Sequence, residues 1–381
     1  MRLATRVTTL VMLAGCGHSD PFVNVVPPVD ASAAAPDVRL TYNAEQDYWP
    51  AWTEDGRGII YSFVDPGSQS LHRCVGILPS SGGPRIWQLC DNRSTQGDSI
   101  NGFSGYALSA TGQLLYAEAA STNRQLTALP KTTLWLADTA KPFARTQLLT
   151  LPAPGLSSTV SWLTEIRWTG PATFVALGQL FETIGHCFTP NFSGPFCSSQ
   201  DSLFFQGGAV ITGTIAGGHA TLQVVSGTDG ATGYSLAEAG ASIVFTRAHD
   251  MRLWKVAATG GTAAAITTIP QPGDAEILGV SCQGSTCVAA SGPVSLTVPS
   301  IPAVPHMNPG SSRLDAVSLT AGTIQLLQSS PASAATVYST PQISPAGGNV
   351  VMQIGGTWWG HLQTFEGGGN SDLHLFAGLV H

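Results

Sequence analysis

One short phrase recurs six times along this chain of 381 residues. It is clearest over residues 50–61, PAWTEDGRGIIY, and returns from Tyr106 (YALSATGQLLYA), Ile166 (IRWTGPATFVAL), Tyr234 (YSLAEAGASIVF), Leu278 (LGVSCQGSTCVA) and Pro341 (PQISPAGGNVVM). The third position is always apolar: Trp52, Leu108, Trp168, Leu236, Val280 and Ile343. The fourth is a hydroxyl residue in every copy but one: Thr53, Ser109, Thr169, Ser281 and Ser344, with Ala237 as the exception. Glycine holds the seventh position at Gly56, Gly112, Gly240, Gly284 and Gly347, and Ala172 replaces it in the third copy. Glycine accepts a positive φ without a Cβ clash, and a short hydroxyl or Asp side chain ahead of it can bond the turn backbone. Each copy therefore reads as a hairpin followed by a β-prone run such as IIYSF or LLYAEA. Repetition at this spacing is the mark of an array of blades, a β-propeller.

Further strands follow several of the hairpins, beginning at Leu71 (LHRCVGILPSSGG), Leu134 (LWLAD), Leu253 (LWKVAATGG), Leu314 (LDAVSLTAGT) and Leu373 (LHLF). Each fits a third strand running through a turn towards an outer fourth. Successive copies begin 56, 60, 68, 44 and 63 residues apart. Most of these intervals exceed the roughly 40–50 residues of common blade repeats, so several loops carry insertions. The stretch VRLTY from Val38 precedes the first copy as an outer strand with no blade of its own, whereas the last copy stops soon after LHLF. Adding the N-terminal strand to the last blade removes two exposed edges and closes the ring. The fold class expected is all-β, a six-bladed propeller closed by its N-terminal strand.

Residues 40–63, LTYNAEQDYWPAWTEDGRGIIYSF, resemble the TolB-type, WD40-like propeller repeat, whose core runs LT…P-x-W-S-P-D-G-x-x-I-x-F. Thr53 stands for the usual Ser and Glu54 for the usual Pro, while Asp55 and Gly56 match. The resemblance covers residues 38–381 with one specific copy and five degenerate ones. It implies six blades, an envelope or extracellular setting, and interaction with other envelope proteins.

The N-terminus is consistent with that setting. Arg2 and Arg6 are followed by a short apolar run from Val7 to Ala14, and Leu13-Ala14-Gly15-Cys16 matches a bacterial lipoprotein box. Runs of this length are targeting segments rather than membrane spans. Residues 1–15 are thus read as a signal peptide, Cys16 as the lipid attachment site, and 16–36, rich in Pro and Ala, as a tether; residues 37–381 form the propeller. With Gly17 after the cysteine, the lipoprotein resemblance favours the outer membrane, facing the periplasm or the cell surface. Membrane contact is expected through the lipid alone.

The other six cysteines fall into close pairs, Cys74/Cys90, Cys187/Cys197 and Cys282/Cys287. Nearest-neighbour disulfides are the natural pairing, and they belong in an oxidising compartment. No pair has the CxxC spacing of a zinc site. A formal net charge of -7 without a basic run argues against a nucleic-acid partner.

Signs of catalysis are sparse. There is no G-x-S-x-G elbow, no H-E-x-x-H and no phosphate loop, and the nine histidines are scattered singly. His249-Asp250 reads as a solvated loop pair, and Asp55 as a turn cap. Trp52 and Trp168 occupy repeat positions and read as core. Aromatic residues in the irregular segments, Trp358, Trp359, Phe192 and Phe196, are the candidate ligand contacts. The expectation is a lipid-anchored envelope module that binds protein partners through its loops and channel mouth, with no cofactor, no metal and no catalysis of its own. The alternatives are a lactonase- or lyase-like propeller enzyme, with metal ligands converging in the channel, and a glycan-binding propeller. Converging carboxylates or histidines in the channel would favour the enzyme.

Overall fold

The computed structural model describes residues 37–42, 47–64, 73–90, 100–121, 131–153, 156, 160–184, 187–188, 196–197, 202–248, 250–270, 275–295, 306–307, 312–330, 337–355 and 371–380. The lipoprotein box with Cys16, the tether, Phe192, Trp358, Trp359 and His249 lie outside them.

Six antiparallel blades account for nearly every strand described. From the inner strand outwards, the first blade comprises Asp47–Trp52, Gly58–Val64, Arg73–Pro79 and Trp87–Cys90. The second comprises Ile100–Leu108, Gln113–Ser121, Lys131–Asp138 and Lys141–Thr150. The third follows as Val160–Gly170, Thr173–Ile184, Ser202–Ala216 and His219–Val224. A single bridge, Gly208 to Ala231, links it to the fourth, Ala231–Ala237, Ser242–Arg247, Asp250–Ala257 and Ala264–Thr268. The fifth holds Ala275–Gln283, Thr286–Ser295, Arg313–Ser318 and Ile324–Ser329. The last holds Val337–Ile343, Val350–Gly355 and Ser371–Phe376, and Asp37–Arg39 from the N-terminus supplies its outer strand.

All six phrases fall on the hairpin between the inner and second strands. The five turn glycines adopt positive φ, from 59° at Gly284 to 85° at Gly240. The hydroxyl before the turn works as expected in the first two copies: Gly58 N donates to Thr53 Oγ1 at 2.9 Å and Gln113 N to Ser109 Oγ at 3.0 Å. Asp55 accepts from Thr53 Oγ1 at 2.6 Å and from Arg57 N at 3.1 Å, and these bonds, Thr53's foremost, hold its carboxyl below the usual range. Its role is the turn cap. The third strand of the third blade is not among those the sequence pattern marks. It is Ser202–Ala216, which turns through Gly217 and Gly218.

Closure occurs where the sequence places it. Asp37, Val38 and Arg39 pair with Phe376, Leu375 and His374. Arg39 also reaches Asp372 at 2.8 Å, and His374 Nδ1 lies 2.7 Å from Asp37. The apolar core is divided among the blade interfaces, one cluster between each adjacent pair. Ala107, Leu115 and Leu134 of the second blade pack on Leu163, Ile166 and Phe174 of the third, for example. Across the seam, Tyr61 and Leu78 of the first blade pack with Val351 and Leu373 of the last.

Disulfides join Cys74 to Cys90 and Cys282 to Cys287, each pair directly opposed in its ladder. They mark the chain as a protein of an oxidising, extracytoplasmic compartment. Cys187 and Cys197 are likewise opposed, in a two-stranded ladder that also pairs Phe188 with Phe196. No helix among the described residues is long and apolar enough to cross a membrane.

The seam yields a direct expectation. Removing residues up to Arg39 strips the outer strand from the last blade and leaves Asp372 without its guanidinium. Breaking such a pair and its ladder bonds should cost about 2–4 kcal/mol. The thermal midpoint of the truncated protein should fall; an unchanged midpoint would show that the strand does not close the ring.

Candidate functional site on the ring axis

The six inner strands line the central channel, and all six are irregular. Their pairing with the second strands slips between Tyr48 and Ala51, Phe103 and Gly105, Thr164 and Arg167, Ala231 and Gly233, Ile277 and Gly279, and Ser339 and Gln342. Each slip is a bulge of one extra residue, which bends the strand and re-aims its side chains. In three of the bulges the residue with left-handed backbone is not glycine: Trp49 (φ 49°), Glu165 (φ 48°) and Thr340 (φ 48°). That conformation costs about 1–2 kcal/mol per L-residue.

Neighbouring blades hold two of these residues by the same device. Tyr106 Oη of the second blade donates to Trp49 O at 2.7 Å, and Tyr234 Oη of the fourth donates to Glu165 O at 2.6 Å. Burial, foremost, drives the Tyr234 hydroxyl well above its ordinary pKa, so it stays a donor. The blades approach closely here. A Cβ on Gly105 would lie 2.9 Å from Leu163 O and 3.0 Å from Thr164 Cα, which accounts for glycine at that position.

Trp49, Thr164, Glu165, Arg167, Thr340 and Gln342 contribute to the walls of a cavity of about 50 Å³ on the axis. At about 10–15 Å³ per water by this measure, it has room for a few waters or a group of similar size. Arg167 of the third blade donates from Nη2 to Gln342 Oε1 of the last at 2.7 Å, so a hydrogen bond between opposite blades crosses the channel. Trp52 Nε1 of the first blade donates to Gln342 O at 2.9 Å and steadies the acceptor strand. The hydroxyls of Thr164 and Thr340 are buried and make no hydrogen bond among the described residues.

Burial, the dominant effect, pushes the Glu165 carboxyl up to about 7, against the opposing pull of Arg167 and of the Tyr234 N–H. Glu165 is the one carboxylate among the residues lining this cavity, and Arg167 the one cation. Among the described residues no group of three or more His, Cys, Asp or Glu side chains converges as metal ligands would.

The sequence-derived candidates fare unevenly. Trp52 and Trp168 sit half-buried at blade interfaces, Trp168 donating to Ala107 O of the second blade at 3.2 Å. Asp250 belongs to a local cluster, bonded to Arg252 Nε at 2.8 Å and Trp254 Nε1 at 2.9 Å. Glu165, Arg167 and Gln342 were not anticipated, although the repeat carries a signal. Its second position is Ala51, Ala107, Ser235 and Gly279 in four copies and a long polar residue, Arg167 or Gln342, in the other two.

No family model matches this chain. No curated protein matches it in sequence. Among solved structures it is similar to a gluconolactonase from Xanthomonas campestris (TM-score 0.49, 13% identity, covering 90% of this chain and 89% of that one). It is also similar to an oligogalacturonate lyase from Vibrio parahaemolyticus (0.45, 11%, 92% and 95%) and a putative TolB from Agrobacterium tumefaciens (0.44, 13%, 89% and 92%). These are likenesses of overall form and carry no assignment of activity.

Glu165 makes stability depend on pH in a defined direction. A carboxyl whose folded pKa lies near 7 rather than 4.5 holds its proton more tightly in the native state, so its favourable contribution is complete below about pH 4.5. As pH rises through 7 that contribution is lost, by roughly 3 kcal/mol at 1.36 kcal/mol per pH unit. Denaturant unfolding across pH 5–8 should show this decline in the natural protein and its loss in Glu165→Gln. Parallel profiles for the two proteins would rule out the raised pKa.

Proposed function

We propose that this chain is a lipid-anchored propeller of the cell envelope that binds a protein partner and performs no catalysis of its own. The observation that carries this reading is the Arg167–Gln342 hydrogen bond across the channel, 2.7 Å long, beside a cavity of only about 50 Å³. That bond obstructs the axis beside Glu165, and a single carboxyl lacks the paired acid and base of most hydrolytic sites. Recognition then falls to the outer faces of the ring and its loops. Two of the exposed large apolar side chains, Ile86 and Phe143, lie on neighbouring first and second blades that Trp87 Nε1 joins to Thr139 O at 2.9 Å. The disulfides and the box ending at Cys16 support an envelope location.

Two measurements test the reading. Cys16→Ala should release the protein from membranes into the soluble fraction; retention in the membrane would refute the anchor. Cross-linking in intact cells should then recover one envelope protein reproducibly with the natural chain and much less of it with Phe143→Asp. Recovery of no specific protein, together with turnover of a lactone or oligosaccharide substrate, would support the enzymatic alternative.

A further inference from the structure

Arg167 presents a guanidinium to the interior of the ring. It contacts the neutral Gln342 side chain at 2.7 Å and the face of Tyr234, whose ring centre lies 5.7 Å away. It forms no ion pair among the described residues, whereas Arg39, Arg145, Arg252 and Arg313 do; Arg247 shares its position, with a main-chain carbonyl and two aromatic faces as contacts. The nearby Glu165 carboxyl interacts with it electrostatically, but burial keeps that carboxyl protonated up to about pH 7. The partly buried cation therefore lacks a hydrogen-bonded counter-charge, and an anion entering the cavity would supply one.

The surroundings favour one anion chemistry. The planar guanidinium matches two oxygens in a plane, so a carboxylate uses the fork fully whereas a spherical ion does not. The space admits a group the size of a few waters. Two buried hydroxyls in the same walls, Thr164 and Thr340, have donor capacity that no described residue takes up. The strained backbone at Trp49, Glu165 and Thr340 surrounds this space, and such strain gathers at ligand clamps.

We propose that the axial cavity is an anion site that takes a single carboxylate group, its two oxygens held by the guanidinium of Arg167. The carboxylate arrives either on a free small acid or on the end of a peptide chain. Its recognition does not depend on the partner-binding reading, because the binding probe is a free acid and needs no partner.

Titratable groups around the site are few. Glu165 shares the strand of Arg167, Tyr106 faces it from the second blade and Tyr234 from the fourth. The first, fifth and last blades contribute Trp49, Gly279, Val280, Thr340 and Gln342, none of which titrates in the working range. Both tyrosines are committed to main-chain carbonyls. Glu165, pushed up to about 7, is therefore the group that sets the pH dependence: protonated it tolerates an anion, ionised it repels one.

The test is a calorimetric titration of the natural protein with acetate, at constant ionic strength, at pH 6 and pH 8. Saturable one-to-one binding is expected, tighter at pH 6, and about tenfold or more weaker in Arg167→Gln. Glu165→Gln should bind equally at both pH values, and Gln342→Leu, which keeps the guanidinium, should still bind. If Arg167→Gln fails to fold by circular dichroism, Arg167→Lys replaces it and should bind more weakly than the natural protein. Triglycine and its C-terminal amide identify the source: binding of the acid form alone points to a chain end, and binding of acetate but not triglycine to a free acid. Absence of saturable acetate binding, equal affinity for chloride, or undiminished binding by a folded Arg167 variant would overturn the proposal.

Discussion

Each blade is fastened to the next where the inner strands meet, by a side chain of one and the main chain of the other. Tyr106 reaches Trp49 O between the first and second blades, Ser104 reaches Leu163 O between the second and third, and Tyr234 reaches Glu165 O between the third and fourth. Cys282 N donates to Ser235 Oγ, Ile343 N to Ser281 Oγ, and Trp52 Nε1 to Gln342 O, which completes the circuit. Each bond is worth about 1 kcal/mol net. The apolar clusters between blades supply the larger share, but those clusters exist only while the ring is shut, since a lone blade exposes both faces. Burial and closure therefore depend on each other, and the pairing of Asp37–Arg39 with the last blade ties the two ends of the described chain together.

That arrangement concentrates strain at the axis. An inner strand has one edge paired and the other turned towards the channel, and the bulges bring the backbone of adjacent blades close. Trp49, Glu165 and Thr340 accept left-handed backbone there, and tyrosines from the next blade lock two of them. The same crowding that desolvates Glu165 narrows the channel until Arg167 meets Gln342. The axis of this ring is thus narrow and crossed by a hydrogen bond, with one carboxyl and one guanidinium in its walls.

Much of the fold is legible in the sequence because hairpin chemistry is local. A glycine at positive φ and a hydroxyl ahead of it leave the same mark at Gly56, Gly112 and Gly347 whatever the loops do. The extended run Ser202–Ala216 escapes because it follows a long insertion and spans 15 residues, against six to eight in the third strands of the other blades. The site is harder to read because it is built from six distant segments. Arg167 and Gln342 are 175 residues apart in the chain and meet only when opposite blades face each other. Their trace is two long polar residues at a repeat position that is otherwise small, and Tyr106 and Tyr234 leave another at the first position of their copies. Both traces acquire meaning once the repeat is wrapped into a ring.

A double-mutant cycle on Arg167→Met and Gln342→Leu, followed by denaturant unfolding, tests the crossing of the channel most directly. Residues on opposite blades couple only if they touch across the axis, and a hydrogen bond to a charged group predicts an interaction energy of about 1.5–3 kcal/mol. Strict additivity of the two substitutions would contradict the closed channel on which this account of the protein rests.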